Sequence, residues 1–311
     1  MKKNNSMKRT WMALLTVSVI AVSCQKELSA LRNNPSDKNI WAAWEAKQPA
    51  PQKFTVNAST QNSFSGQKGT RVMLPANAFV TASGGPVSGN VTIEFKEIYE
   101  VWEMVLNNKF TQVGTTPIES GGQFYIRATQ GGAELKLAPG KTVLAALPAD
   151  TAMPNMQVFT GSRFDSAGQS NFSWQLAADP ATNNVAIRAD SAGMQDYLMQ
   201  FGMLGWINCD RFLNEPLHDV QVKIANALPN EQIGVVVHLD GMKSVMQLWS
   251  NGTVYKGKVP ERGVTFIALS NRNGQAYAAF QSAQVQAGQQ YTLTMAPSTD
   301  EAFGQKLKTL N

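Results

Sequence analysis

Between Gly66 and Pro148 short β-favouring runs alternate with glycine, proline and asparagine at spacings of roughly ten residues, the pattern of a small sandwich or barrel. The runs read G-Q-K-G-T-R-V-M-L-P-A-N-A-F-V, S-G-G-P-V-S-G-N-V-T-I-E-F-K-E-I, I-E-S-G-G-Q-F-Y-I-R-A and L-K-L-A-P-G-K-T-V-L-A-A-L-P. Val91, Ile93 and Phe95 alternate with polar neighbours, so they share one inward face of a strand. Ile98 is out of phase with Phe95, which predicts a bulge or bend near Lys96–Glu97.

Similar runs continue downstream as Val220–Ile224, Ile233–Leu239, Val245–Leu248, Val264–Leu269, Tyr277–Val285 and Tyr291–Met295. Asn251-Gly252 and Asn273-Gly274 sit between runs as hairpin turns, because both residue types tolerate positive φ. At 311 residues, with 43% hydrophobic content, the chain is long enough for two domains and apolar enough to bury their cores. The expected fold is all-β, two β-sandwich domains with a short N-terminal helix and a short C-terminal helix. The division expected is a signal peptide (1–23), a tether with a short helix (24–52), a first sandwich (53–160), an inter-domain segment (161–205), a second sandwich (206–297) and a helix (298–311).

In the tether, Ser36 is a candidate helix cap, with Ile40, Trp41 and Trp44 on one stripe that packs on the first sandwich, or alternatively on a membrane or partner. Ser298-Thr-Asp-Glu301 matches a capping box ahead of the stripe Phe303, Leu307, Leu310.

The sequence pI near 9.1 comes with a net charge of +5. Lys2, Lys3, Lys8 and Arg9 lie in the first 23 residues with no acidic residue, so the remainder carries only +1. Such a body has no broad basic footprint for a phosphate backbone, which argues against nucleic acid. The basic start precedes the apolar run Trp11–Val22, too short to span a bilayer as a helix and shaped like a secretory signal.

The segment A-V-S-C then resembles the lipobox of bacterial lipoproteins, with Cys24 as the lipidated mature N-terminus and Ala21 where a branched aliphatic residue is usual. The alternative is a plain secretory signal cleaved nearby. Acyl chains on Cys24 would anchor the protein, at about 0.8 kcal/mol per buried methylene. The only other cysteine, Cys209, has no internal disulfide partner and reads as a buried small hydrophobe.

The order G-T-x-V-x-L-P-A-N-A-F-V, G-x-P-V-x-G-x-V-x-I-x-F-x-E-I, I-E-S-G-G-x-F-x-I-x-A and L-x-P-G-K-x-V, over residues 54–148, resembles a module of envelope lipoproteins of the Bacteroidota. At greater distance it is similar to the ZU5 domain. G-W-I-N-C-D-R-F at 205–212 resembles a segment of the same lipoproteins and is expected to open the second domain. That domain looks like immunoglobulin-like or carboxypeptidase-regulatory-like modules. The resemblance implies protein–protein contact without enzymatic activity. The His-Phe-Ser self-cleavage site of some ZU5 proteins has no counterpart, since Phe64-Ser65 and Phe172-Ser173 lack the histidine.

Catalytic and metal motifs are missing from the sequence: no G-x-S-x-G elbow, no phosphate loop, and two histidines, His218 and His238, too few for a zinc site. No catalytic residue, metal or cofactor is expected. Gly84-Gly85, Gly121-Gly122 and Gly131-Gly132 read as turns. Asp210-Arg211 reads as a buried ion pair.

One segment is a candidate binding site. In E-F-K-E-I-Y-E-V-W-E, residues 94–103, acidic residues recur every third position around Tyr99 and Trp102. If the chain turned helical after Ile98, Glu100 and Glu103 would share a face. They would then suit sugar hydroxyls beside a stacking Trp102, or acid–base work on a glycoside. The plainer alternative is a solvated strand face whose Trp102 caps the core. The expectation is thus an outer-membrane lipoprotein, periplasmic or surface-facing, that binds another envelope protein. A glycan-binding lipoprotein of an uptake system is the alternative, and a glycoside hydrolase a third reading.

Overall fold

The structure is a computed structural model and describes residues 40–166, 169–179, 182–250 and 254–310. Cys24, Ser36 and the Asn251-Gly252 turn lie outside the described residues. Among the described residues three short helices, α1 (Ile40–Glu45), α2 (Val101–Leu106) and α3 (Asp300–Leu307), accompany an all-β body.

The strands of the first half are β1 (Gln52–Asn57), β2 (Asn62–Ser65), β3 (Arg71–Leu74), β4 (Phe79–Val80), β5 (Asn90–Ile98), β6 (Gln112–Val113), β7 (Thr116–Gln130), β8 (Ala133–Glu134), β9 (Lys136–Leu137), β10 (Val143–Ala149), β11 (Gln157–Ser166), β12 (Gln169–Leu176), β13 (Val185–Ala189), β14 (Gln195–Phe201) and β15 (Gly205–Phe212). One sheet runs β1-β5-β7-β15-β11-β12, and a second runs β13-β14-β10-β3-β2. They pack face to face around Val72, Ile93, Phe95, Phe124, Leu147 and Phe201.

This arrangement differs from the sequence division at residues 161–212. Those residues supply strands to both sheets, and Gly205–Phe212 lies hydrogen-bonded between β7 and β11. The segment therefore completes the first sandwich, because the long β7 needs a second antiparallel neighbour and Ile207 supplies an inward face.

The second half holds β16 (Leu217–Ile224), β17 (Ile233–Leu239), β18 (Val245–Ser250), β19 (Val254–Pro260), β20 (Gly263–Arg272), β21 (Gln275–Gln284), β22 (Gln290–Leu293) and β23 (Ala296–Ser298). They form one sheet in the order β22-β16-β19-β18-β17-β20-β21-β23. β18 pairs with β17 through its first residues and with β19 through Trp249 and Ser250, so the sheet turns there. Its two arms close on Val222, Tyr255, Val237, Phe266 and Leu293. Asn273 and Gly274 both adopt positive φ in the β20–β21 turn, as the dipeptide predicts.

Every residue of β17 is buried, because both of its faces are covered. One face lies in its own sandwich. The other meets a seam filled by α1, α2 and α3, where Trp41, Ile98, Val105, Val236, Ile267 and Phe303 pack together. A continuous apolar run such as I-G-V-V-V-H-L requires this double cover.

The stripe of α1 packs as expected, but in the seam rather than on the first sandwich. Trp41 meets Phe110 edge-on at 5.7 Å between centroids, and Trp44 meets Phe303 at 5.1 Å. Each such side chain stabilises the seam by about 1.5–3 kcal/mol through burial alone. The predicted bulge near Lys96–Glu97 is absent: β5 pairs with β7 in unbroken register to Ile98. Ile98 is out of phase because it faces the seam, the opposite side from Phe95. At α3 the cap is Thr299, whose side chain accepts from the Ala302 amide, one residue beyond the predicted Ser298.

Backbone hydrogen bonds also cross the seam. Thr111 N donates to Val245 O at 2.7 Å, and Ser120 N donates to Lys243 O at 3.0 Å. The two sandwiches are thus joined through main chain as well as through side chains.

Candidate functional site

The chain after β5 turns into α2, the helical alternative rather than the solvated strand face, with Glu100 at its cap and Glu103 in its first turn. The turn is built on two carboxylates. Glu103 reaches back to accept from the Tyr99 and Glu100 amides at 3.0 and 3.2 Å, satisfying donors that a helix start leaves open. Its other oxygen pairs with Lys68.

Glu97 is buried and takes the Gly66–Thr70 loop in its grip. Its carboxylate accepts from the Lys68 and Thr70 amides, both at 3.0 Å, from Thr70 Oγ1 at 2.6 Å and from Gln52 Nε2 at 3.0 Å. Tyr99 closes the cluster, its hydroxyl 2.6 Å from Thr70 Oγ1. Burial drives the Tyr99 phenol far above its usual range, so it stays protonated.

Of the four candidate residues, Tyr99 and Glu100 line a cleft of about 620 Å³ at the seam, with Lys68, Glu119, Tyr197 and Lys243. Glu100 lies 3.6 Å from Lys243 across the cleft. Glu103 and Trp102 do not line it. Trp102 is half-buried, with Lys68 and Lys308 at 6.0 and 5.1 Å from its ring, so both cations crowd the indole where a sugar would stack. Glu94 is held on the other side of β5, where Arg127 lies 3.1 Å away.

Sequence reasoning missed the floor of this cleft. β7 bulges at Gly121-Gly122, which stand opposite the single residue Cys209 of β15. The glycines are therefore mid-strand, not a turn. A Cβ on Gly121 would lie 2.6 Å from the Tyr197 ring, and Gly122 holds a φ of 133°. The doubled glycine was the available signal.

Beneath the bulge, Ser120 Oγ donates to Asn208 Oδ1 at 3.0 Å, and Asn208 donates in turn to Asp210. The expected Asp210–Arg211 pair does not form, since adjacent strand residues face opposite sides. Arg211 instead donates from Nε to Glu119 at 2.8 Å. Asp210 is wholly buried, and burial, followed by the Glu119 charge, pushes its carboxyl well above the usual range. Cys209 is likewise buried and its thiol is pushed up by burial, which makes it a poor nucleophile. Tyr197 accepts from the Met153 amide at 2.6 Å, which fixes the cleft wall.

Among the described residues no helix is long and apolar enough to cross a membrane. The chain matches no known family model and no curated protein sequence.

Proposed function

We propose that the protein is a lipid-anchored, non-catalytic binding module of the bacterial envelope that engages another envelope protein through the seam cleft. The observation that carries this reading is the construction of the cleft. Its walls come from both sandwiches, and the Ser120-to-Lys243 backbone bond ties two of its lining residues together across the seam. A preformed concave site of this kind binds without first ordering its own walls.

Two further points support the reading. The carboxylates of 94–103 serve the fold: Glu97 and Glu103 each bind two backbone amides. The lipobox-like A-V-S-C lies sixteen residues before Ile40, a contour of at most about 55 Å from an anchor at Cys24 to α1. Such a tether keeps the body near the membrane, where its partners would be.

A photo-crosslinking amino acid at Thr151 on the cleft rim tests this in cells. The expected result is a crosslink to one defined envelope protein, absent when the probe sits at the exposed Leu228, at the far end of β17 from the cleft, and lost in Cys24→Ala. Equal labelling from both positions, or none from Thr151, would reject the cleft as the contact.

A further inference from the structure

The outer face of the second sheet is apolar where the seam covers it, with Val236, Ile267, Ala278 and Phe280. One row departs from that composition. Register places His238 opposite Thr265, and Thr265 opposite Ser282. Asp240 follows His238 by two residues, the spacing that keeps side chains on one face of a strand. The row lines a second cavity, of about 340 Å³, walled by Lys306, Thr309 and Leu310 at the end of α3.

His238 is only 2% exposed. Its Nε2 lies 3.1 Å from the Met242 carbonyl oxygen, an atom that can only accept. The ring proton therefore sits on Nε2, and Nδ1 carries a lone pair. That Nδ1 is buried without a hydrogen-bond partner and faces Asp240 Oδ1 across 3.5 Å. Two acceptors aimed at each other call for an electropositive atom between them. An ion about 2.1 Å from each, at a tetrahedral angle, sets its ligand atoms about 3.4 Å apart. The observed separation fits. A backbone carbonyl that fixes the tautomer of the imidazole is also the usual outer support of a ligating histidine.

We propose that His238 Nδ1 and Asp240 Oδ1 are the protein half of a divalent transition-metal site, suited to zinc. Water completes the coordination. Nitrogen plus carboxylate is borderline chemistry, matched to zinc rather than to calcium or magnesium. Thr265 Oγ1 lies 3.1 Å from Asp240 Oδ1 and 3.2 Å from Ser282 Oγ, so the hydroxyls orient the carboxylate. Among the described residues no three His, Cys, Asp or Glu side chains converge on one point. The site is therefore open, and with Lys306 on its wall the affinity is micromolar rather than that of a closed structural site.

The test is calorimetric titration of zinc alone into the full chain, previously stripped with a chelator. One equivalent is expected to bind at micromolar concentration. Asp240→Asn, at a side chain 43% exposed, weakens it by about tenfold or more while leaving the metal-free unfolding midpoint unchanged. His218→Ala, which removes the histidine paired with Glu261, leaves binding intact. No saturable binding below millimolar zinc overturns the proposal. So does binding that persists unchanged in Asp240→Asn, or that is lost in His218→Ala.

Discussion

The absent side chain of Gly66 is the space that the Glu97 carboxylate occupies: a Cβ built there falls on the Glu97 carboxyl group itself. The loop can wrap this carboxylate only because residue 66 has no side chain.

Gly66→Ala is accordingly expected to expel the Glu97 carboxylate from the Lys68 and Thr70 amides. Leaving those buried partners unmatched costs about 1–3 kcal/mol. Urea unfolding of Gly66→Ala and Glu97→Ala, singly and together, checks this. The double variant should lose far less than the two single losses combined, since both remove the same bonds.

Glu103→Gln weakens the start of α2 and the pair with Lys68, again by about 1–3 kcal/mol. Trp102→Ala removes seam packing by a similar amount. Neither residue lines the cleft, so both variants, once folded, retain partner crosslinking at Thr151. A folded Trp102→Ala that no longer crosslinks would place the contact at the helix instead.

Asp210 predicts a pH effect. Its folded carboxyl titrates well above the usual range, whereas the unfolded chain ionises near the reference value of about 3.9. The group therefore favours folding below that reference value, and the contribution is lost as pH rises toward the folded value. Asp210→Asn keeps a neutral side chain in place and removes this dependence. Relative to wild type the variant gains stability at pH 7, and the gain vanishes by pH 4. Urea midpoints across that range measure it; parallel curves would mean that Asp210 is ionised in the fold.

Lys109 is fully buried, 2.9 Å from Glu45 and 4.6 Å from the centroids of both Phe172 and Trp206. Removing one partner of a buried pair costs about 3–5 kcal/mol. Lys109→Ala should therefore loosen α1 first, seen as faster amide exchange at Ile40–Glu45 than in β17.

The alternation Val91, Ile93, Phe95 and the stripe Phe303, Leu307, Leu310 were legible because each follows from the period of one element. The seam was not. Ile98 signalled it by being out of phase, but a misplaced apolar residue is equally a bulge until its partner is known. That partner surface is completed by β17, β20 and α3, all more than a hundred residues away. The true bulge, at Gly121-Gly122, was hidden because doubled glycine reads as a turn. Likewise Gly205–Phe212 has the composition of any central strand, and only pairing assigns it to the first sandwich. Of the candidate site, Tyr99 and Glu100 were found in the cleft. Glu119, Tyr197 and Lys243 carry no local pattern that links them.

Trp44 of α1 packs on Phe303 of α3, and just beyond α1 Lys47 pairs with Asp300 at 2.6 Å, joining points 253 residues apart. Closing so long a loop carries an entropic cost that only completed sandwiches on either side can offset. Assembly therefore has an order: α1 finds no berth until the second sheet and α3 exist. Until then Trp41 and Trp44 stay in water. A pull on the chain ahead of α1 would thus reach the body of the protein only after the last step of folding.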